Sequence, residues 1–254
     1  MNRFSLRLAM PFAFLLALAW AVPSRAISKE FNQSYPLQSG GTFELQNVNG
    51  TVEVQGWDRE EVEIHAVKTA KQKESDLERV FIDVNAKPDS ISVDTRYPQD
   101  EGVEVVVEYT VHVPHGAHIE HLGTVNGTLR ISGVGDLGDL HSVNGSIEVY
   151  EGGGAVHAHT TNGNLHIELA HTGERNGVSA ETTNGSVLLA IPSDTQADLE
   201  ARSMNGTFFS ELPLSMQSTQ RPREVHGILG RGGAPIKLRT VNGGIRVIIL
   251  RSTI

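Results

Sequence analysis

The sequence predicts an all-β protein, a repeat β-solenoid with an antiparallel β section near its N-terminus. Three observations predict this fold. A short Asn-Gly motif occurs seven times, apolar residues alternate on both sides of each copy, and successive copies lie 77, 18, 18, 22, 21 and 37 residues apart. A period near 18 to 22 residues fits one coil of two or three short strands, and stacked coils are the usual solution for such repeats.

Each copy of the motif predicts two strands that flank a tight turn. Residues 178–182 and 187–191, on either side of Asn184, alternate between apolar or small residues and other residues, which is the period of a half-buried strand. Asn tolerates positive φ and Gly adopts it without steric cost, so the pair suits a sharp reversal. The predicted turn pairs are Asn49-Gly50, Asn126-Gly127, Asn144-Gly145, Asn162-Gly163, Asn184-Gly185, Asn205-Gly206 and Asn242-Gly243.

An antiparallel sheet of Asn-Gly hairpins is the alternative arrangement, because a two-residue hairpin puts the same positions on one face. That sheet would place His159 opposite His166. A solenoid would instead place Thr160 and Thr182 in adjacent coils, with both hydroxyls pointing inward. Seven near-identical copies favour the solenoid, since it puts equivalent residues next to each other.

Three stretches carry a family resemblance: the TVNG-type repeats, the run VPHGAHIEHLGTVNG at 113–127, and the ending GILGRGGAPIKLRTVNGGIRV at 227–247. In these stretches the chain resembles the bacterial DUF4097 family of adhesin-like, β-strand-repeat proteins. The resemblance implies an envelope or surface protein. Through the gene neighbourhoods of such proteins it also implies, as an alternative, a component of envelope-stress sensing.

Residues 1–26 are typical of a secretory signal peptide. Two arginines precede an apolar run at 8–22, and Ser24-Arg25-Ala26 resembles a small-x-small cleavage site. An uncleaved anchor is the alternative, but the run is short for a bilayer and includes Pro11. We therefore predict an exported protein, in the periplasm, at the cell surface or secreted, with no membrane span after signal cleavage.

Residues 27–254 are predicted to form a single elongated β-repeat domain. Beyond residue 26 the chain has 18 basic and 30 acidic residues, a net charge of about −12. This acidic balance argues against nucleic acid and anionic lipid headgroups as partners, because both require Lys and Arg to replace counterions. The chain has no Cys, so its stability must come from the core and the strand ladders.

A long interval without the motif, from about 57 to 113, is predicted to be the antiparallel section. It contains alternating stretches at 61–70, 80–86, 91–97 and 103–113, each typical of a strand. The turn at 87–90 should join two of these strands as a hairpin. Residues 73–79 predict one helical turn or a solvated loop.

Repeat coils are predicted from 114 to 254. The interval of 37 residues before the last copy is close to two periods, which predicts a coil that has lost its Asn, with a corner near His226-Gly227. Residues 213–224 include Pro213 and Pro222, which disfavour strand pairing and predict a mobile excursion.

No catalytic constellation is recognisable in the sequence, which lacks G-x-S-x-G and HExxH motifs. We therefore predict no enzymatic activity and no cofactor. The predicted function is a non-enzymatic, adhesin-like or scaffold protein that presents a regular β surface to a glycan or an envelope protein. The alternative is a carbohydrate-active β-helix enzyme with two facing carboxylates, for which Glu148 and Glu168 are the candidate pair.

Histidine is frequent, with eleven copies. In a solenoid, His141 would lie beside His159, with Asp139 and His157 in the neighbouring column. Imidazole and carboxylate groups suit zinc or copper, so these four residues are candidate metal ligands, with an exposed polar face as the alternative. Residues 112–121 also carry a histidine at every third position, which favours solvent-exposed loop residues over a chelating cluster.

Overall fold

Two large mixed sheets make up the computed structural model, which describes residues 27–71, 73–98, 102–171, 177–218 and 223–251. The signal peptide predicted at 1–26 lies outside these residues. The strands are β1 (Ile27–Pro36), β2 (Thr42–Gln46), β3 (Val52–Trp57), β4 (Glu61–Ala70), β5 (Phe81–Ala86), β6 (Ser90–Arg96), β7 (Val105–Pro114), β8 (His118–Asn126), β9 (Leu129–Ser132), β10 (Asp136–Asn144), β11 (Ile147–Gly152), β12 (Val156–Asn162), β13 (Leu165–Leu169), β14 (Val178–Asn184), β15 (Val187–Ile191), β16 (Ala197–Asn205), β17 (Phe208–Ser210), β18 (Leu214–Ser218), β19 (Glu224–Leu229), β20 (Ala234–Asn242) and β21 (Ile245–Ile249).

The strand order shows how the repeats are arranged. Sheet 1 has the order β1-β4-β7-β3-β9-β11-β13-β15-β21-β17. Sheet 2 has the order β18-β19-β16-β20-β14-β12-β10-β8-β2-β6-β5. Each Asn-Gly motif joins a strand of sheet 2 to a strand of sheet 1, and we call such a strand-corner-strand unit a coil.

The coils stack in parallel, in register, in a solenoid-like arrangement. Thr160 pairs with Thr182 across β12 and β14, and Leu165 pairs with Val187 across β13 and β15. The hydroxyls of both threonines are inside the protein, as predicted, and the hairpin alternative is wrong for the repeats. The reason is that the two strands of one motif lie in different sheets and cannot pair with each other.

The core lies between the two sheets and follows from the alternation in the sequence. Leu140 and Ala158 point inward from sheet 2, and Ile147 and Leu165 point inward from sheet 1; all four are almost completely buried. Burial of such side chains contributes about 25 cal/mol per Å² of apolar surface removed from water. Every coil adds a similar layer, so the core runs along the whole stack.

Two hydrogen-bond ladders run along the Asn-Gly corners. Six buried Ser or Thr hydroxyls, each two residues before its Asn, donate to the corner Gly carbonyl of a neighbouring coil: Thr124 to Gly50, Ser142 to Gly127, Thr160 to Gly145, Thr182 to Gly163, Thr240 to Gly185 and Ser203 to Gly243. The seven Asn side chains form a second ladder in which each amide nitrogen donates to the next amide oxygen at 2.7 to 2.9 Å. Both ladders require equivalent residues at equal heights, so they fix the parallel register.

The corner glycines are required for close approach rather than for positive φ. Of the seven, Gly50 and Gly243 alone have φ in the left-handed region, and none of the seven Asn residues does. At Gly145 and Gly163 a Cβ atom would overlap the corner Gly carbonyl of the adjacent coil. The sequence analysis explained these glycines by positive φ, and that explanation is wrong for most copies. It treated each turn alone, whereas the steric limit comes from the adjacent coil.

The last coil does not occupy the end of the stack. The coil of Asn242 lies between those of Asn184 and Asn205, because β20 pairs with both β14 and β16. In its described residues, the interval of 37 residues therefore holds no degenerate coil. It forms an antiparallel hairpin of β18 and β19 beside β16, and His226 lies within β19 instead of at a corner. The excursion predicted at 213–224 is also wrong in part, since β18 is a paired strand; residues 219–222 lie outside the described residues.

The predicted antiparallel section, about 57–113, is antiparallel only in part. β4 pairs antiparallel with β7 and β1, and β5 and β6 form the hairpin expected around Lys87-Pro88. However, β7 runs parallel to β3 and β6 runs parallel to β2. These two strands extend the repeat stack, so the section caps the first coil rather than forming a separate sheet.

A 3₁₀ helix at Glu74–Arg79 follows β4, within the segment that predicted one helical turn. The buried Lys68 ammonium anchors it by donating to the carbonyl oxygens of Leu77 at 2.6 Å and Val80 at 2.8 Å. Burial lowers the pKa of Lys68, and the nearby Lys29 lowers it further. Across the described ranges, no helix is long and apolar enough to cross a membrane.

The close contact at the corners makes a direct prediction. Replacing Gly163 with Ala should destabilise the protein by about 1–3 kcal/mol, because the new methyl group must displace the backbone of an adjacent coil. Chemical denaturation followed by circular dichroism measures this change. Gly244→Ala is the matched control, since a Cβ there meets ordinary van der Waals contacts. Equal stability of the two variants would contradict the steric explanation.

Candidate functional site

The outer surface of sheet 2 holds a group of five neighbouring imidazole and carboxylate side chains. We call His121, Asp139, His141, His157 and His159 the histidine face. Because β8, β10 and β12 run parallel and in register, Asp139 pairs with both His121 and His157, and His141 pairs with His159. The alternation that buries Leu140 and its equivalents points these five side chains outward.

Two contacts define the geometry of the histidine face. The imidazole rings of His141 and His159 stack with their centroids 5.4 Å apart and an interplanar angle of 1°. His157 Nδ1 lies 3.4 Å from Asp139 Oδ1. The residues predicted to be neighbours are thus adjacent in space, and they line an open depression of about 320 Å³.

His141 is electrostatically distinct. Partial burial lowers its pKa below the ordinary value of 6.5, and the nearby His159 and His121 lower it further. Its imidazole is therefore neutral at neutral pH and keeps a free lone pair. Among the residues that the structure describes, however, no three His, Asp or Glu side chains are already arranged as a metal-binding group.

Beyond the histidine face, sheet 2 carries an ion-pair network. Arg239 donates from Nη2 to Glu200 Oε1 at 2.9 Å, and its Nη1 lies 3.8 Å from Glu181 Oε1. The hydrogen bond raises the pKa of Arg239 and lowers that of Glu200. The three side chains are 26–46% exposed to solvent, so the network contributes little to stability and mainly fixes the charge pattern of this surface.

An apolar stripe runs beside the Asn ladder on the same surface. It consists of the outward residues that precede six of the seven Asn residues, and we call it the corner stripe: Val125, Val143, Thr161, Thr183, Val241 and Met204. Val125 is 39% exposed and Met204 is 45% exposed. Sequence reasoning missed this stripe because it followed the inward positions, although the position before the Asn is apolar or β-branched in all seven copies.

The carboxylate pair suggested by the sequence lies on the outer surface of sheet 1. Arg130 Nε donates to Glu148 Oε2 at 3.0 Å, and the bond raises the pKa of Arg130. His166 Nε2 lies 2.8 Å from Glu168 Oε1. The two carboxylates therefore lie on one sheet surface, each beside a basic partner, and do not face each other across a cleft.

The histidines at every third position do not form a cluster. His112 stacks on Trp57 with ring centroids 5.0 Å apart, and the Arg59 guanidinium lies 4.7 Å from the same indole ring. His118 lies on the other sheet, 2.8 Å from Asp136. The chain turns from sheet 1 to sheet 2 between β7 and β8, which separates these residues.

A family model described as Toastrack DUF4097 matches residues 121–248. The chain belongs to this family. The match begins within β8 and ends within β21, so the Toastrack region includes the histidine face and every coil except the first. It confirms the resemblance seen in the TVNG-type repeats.

Comparison of this Toastrack protein with solved structures gives remote similarities. A candidate cell adhesion protein from Clostridium sporogenes is 10% identical, with a TM-score of 0.47, covering 87% of this chain and 100% of the other. A candidate adhesin from Bacteroides fragilis is 10% identical (TM-score 0.34), and a candidate lipid binding protein from Parabacteroides distasonis is 9% identical (TM-score 0.31); each covers 87% of this chain and 97% of its own. The chain has no significant match among curated protein sequences. These similarities transfer no function to it.

The stacked imidazoles of the Toastrack protein make a second prediction. Replacing His159 with Asn should raise the pKa of His141, because the substitution removes a neighbouring positive charge that opposes protonation. NMR titration of the His141 ring protons measures the change. His226→Asn is the control, because His226 lies on β19 and is remote from the pair. If His159→Asn leaves the pKa of His141 unchanged, the two imidazoles do not interact.

Proposed function

We propose that this protein is a non-enzymatic, exported, adhesin-like or scaffold protein of the cell envelope. Its binding surface is the outer face of sheet 2, offered to a glycan or an envelope protein. The observation that carries this proposal is the in-register stacking of the coils, which repeats outward side chains along one straight surface. Neighbouring strands lie about 4.8 Å apart, so each outward position recurs at that interval.

The corner stripe supports this surface as the one that binds. Its apolar and β-branched side chains form a row with the Asn amides on one side and charged or imidazole groups on the other. Interface centres combine apolar contact with a polar rim. A row of weak, repeated contacts suits a long partner, because contacts along one rigid surface act together.

The positions of Glu148 and Glu168 on sheet 1 support a binding role over a catalytic one. A glycosidase needs one carboxyl group to donate a proton and a second to act as base or nucleophile from the other side of the bond. Glu148 and Glu168 instead engage Arg130 and His166 on one surface. The carbohydrate-active alternative therefore gains no support from this pair.

Charge placed on the corner stripe should abolish partner binding. We expect the full exported chain to bind saturably to a member of a panel of immobilised envelope glycans and purified envelope proteins, with no product released. The double variant Val125→Glu and Met204→Glu should lose this binding by at least tenfold, because two carboxylates would be desolvated in the interface.

Phe209→Glu is the matched control, since Phe209 is 50% exposed but lies on sheet 1. If the double variant still binds its partner, the interface lies outside the corner stripe. Product release that disappears when Glu148 and Glu168 are both replaced by Gln would establish an enzyme instead.

A further inference from the structure

We propose that the histidine face binds a divalent transition-metal ion of the zinc or copper class, with His141 and His159 as its two principal ligands. Asp139 and His157 lie beside them in the neighbouring column, and water completes the coordination of the ion. This inference is independent of the partner proposed above, because it rests on the positions of three imidazoles and one carboxylate and not on the corner stripe.

The nitrogen atoms of the stacked pair are uncommitted. Within the described residues, neither His141 nor His159 makes a hydrogen bond through its ring. Other histidines differ: His118 contacts Asp136, His166 contacts Glu168 and His226 contacts Glu224. The stacked pair thus brings together two imidazoles whose ring nitrogens have no hydrogen-bond partner among the residues that the structure describes.

The distance between the rings is compatible with a shared ion after a small movement. Zinc binds imidazole nitrogen at about 2.0–2.1 Å, so two nitrogens on one ion lie within about 4 Å of each other. The ring centroids of His141 and His159 are 5.4 Å apart. Both side chains are exposed, and exposed side chains reorient on the picosecond to nanosecond scale, so the rings can tilt toward each other.

The neighbouring column supplies further donors. His157 lies two residues before His159 on β12, a separation of about 6.6 Å along a strand. Asp139 Oδ1 lies 3.4 Å from His157 Nδ1, and a carboxylate beside one ring nitrogen orients the other nitrogen toward a metal. Glu181 pairs with His159 on the opposite side, where its carboxylate also lies 3.8 Å from Arg239 Nη1.

The local electrostatics favour a metal over protons. Two protonated imidazoles in this position would repel each other, whereas one divalent ion satisfies both lone pairs at once. Copper should bind more tightly than zinc, as it does at most nitrogen sites.

The test is isothermal titration calorimetry at pH 7.5 with the full chain, which carries no polyhistidine tag. Zn²⁺ and Cu²⁺ are titrated in separate experiments. We expect one ion per chain, and at least tenfold weaker binding in His141→Ala and in His159→Ala. His226→Ala is the matched control, an exposed histidine of the same sheet, and should bind like the unmodified chain. Thermal melts of each variant confirm that it is folded.

A second measurement locates the ion. Substoichiometric Cu²⁺ should broaden the NMR ring signals of His141 and His159 before those of His65, which lies on sheet 1. No uptake of either ion at pH 7.5 would overturn the proposal. So would stoichiometric uptake that persists in both alanine variants, because the ion would then bind elsewhere.

Discussion

Contact between the corner glycines of neighbouring coils is the constraint on which the rest of the structure depends. At Gly145 and Gly163 any side chain would overlap the adjacent coil, so the corners approach one another as closely as bare backbone allows. At that distance the Thr160 hydroxyl reaches the Gly145 carbonyl at 2.9 Å, and the Asn162 amide reaches the Asn144 amide oxygen at 2.9 Å. A single spacing therefore accounts for all three residue types of the Thr-x-Asn-Gly motif.

The same constraint explains why stacking ignores chain order. Any two corners of this type can form the ladders, so the order of the coils depends on the strands that flank each corner. β21 is strongly apolar and lies between β15 and β17, whereas the three-residue β17 is at the edge. Short edge strands limit unwanted pairing with other chains, so this order protects the end of sheet 1.

The sequence predicted the stacking and the inward residues well, because both depend on repeated local patterns. Alternation around Asn184 identified core positions such as Ala180 and Leu189, and identical motifs implied that Thr160 and Thr182 are neighbours. The insertion of the last coil could not be predicted, since equivalent corners are interchangeable in sequence. The parallel pairing of β6 and β7 was also hidden, because alternation does not reveal the direction of a partner strand.

The candidate site is a consequence of the register. Once Thr160 fixes β12 against β10, His159 must lie beside His141 and His157 beside Asp139. The sequence predicted these neighbours, but it could not predict the parallel ring stacking or the burial that lowers the pKa of His141. Those properties depend on side-chain orientation and on the depth of the surface, which alternation does not encode.

The corner ladder is tested most directly by the free energy of unfolding of Thr160→Val, compared with that of Thr161→Val. Both substitutions exchange a hydroxyl for a methyl group, but Thr160 is buried and donates to Gly145, whereas Thr161 faces outward and makes no hydrogen bond within the described residues. If the hydroxyl ladder holds the coils in register, Thr160→Val should lose about 1–3 kcal/mol and Thr161→Val almost nothing. Equal effects of the two substitutions on the free energy of unfolding would contradict the ladder as the source of register.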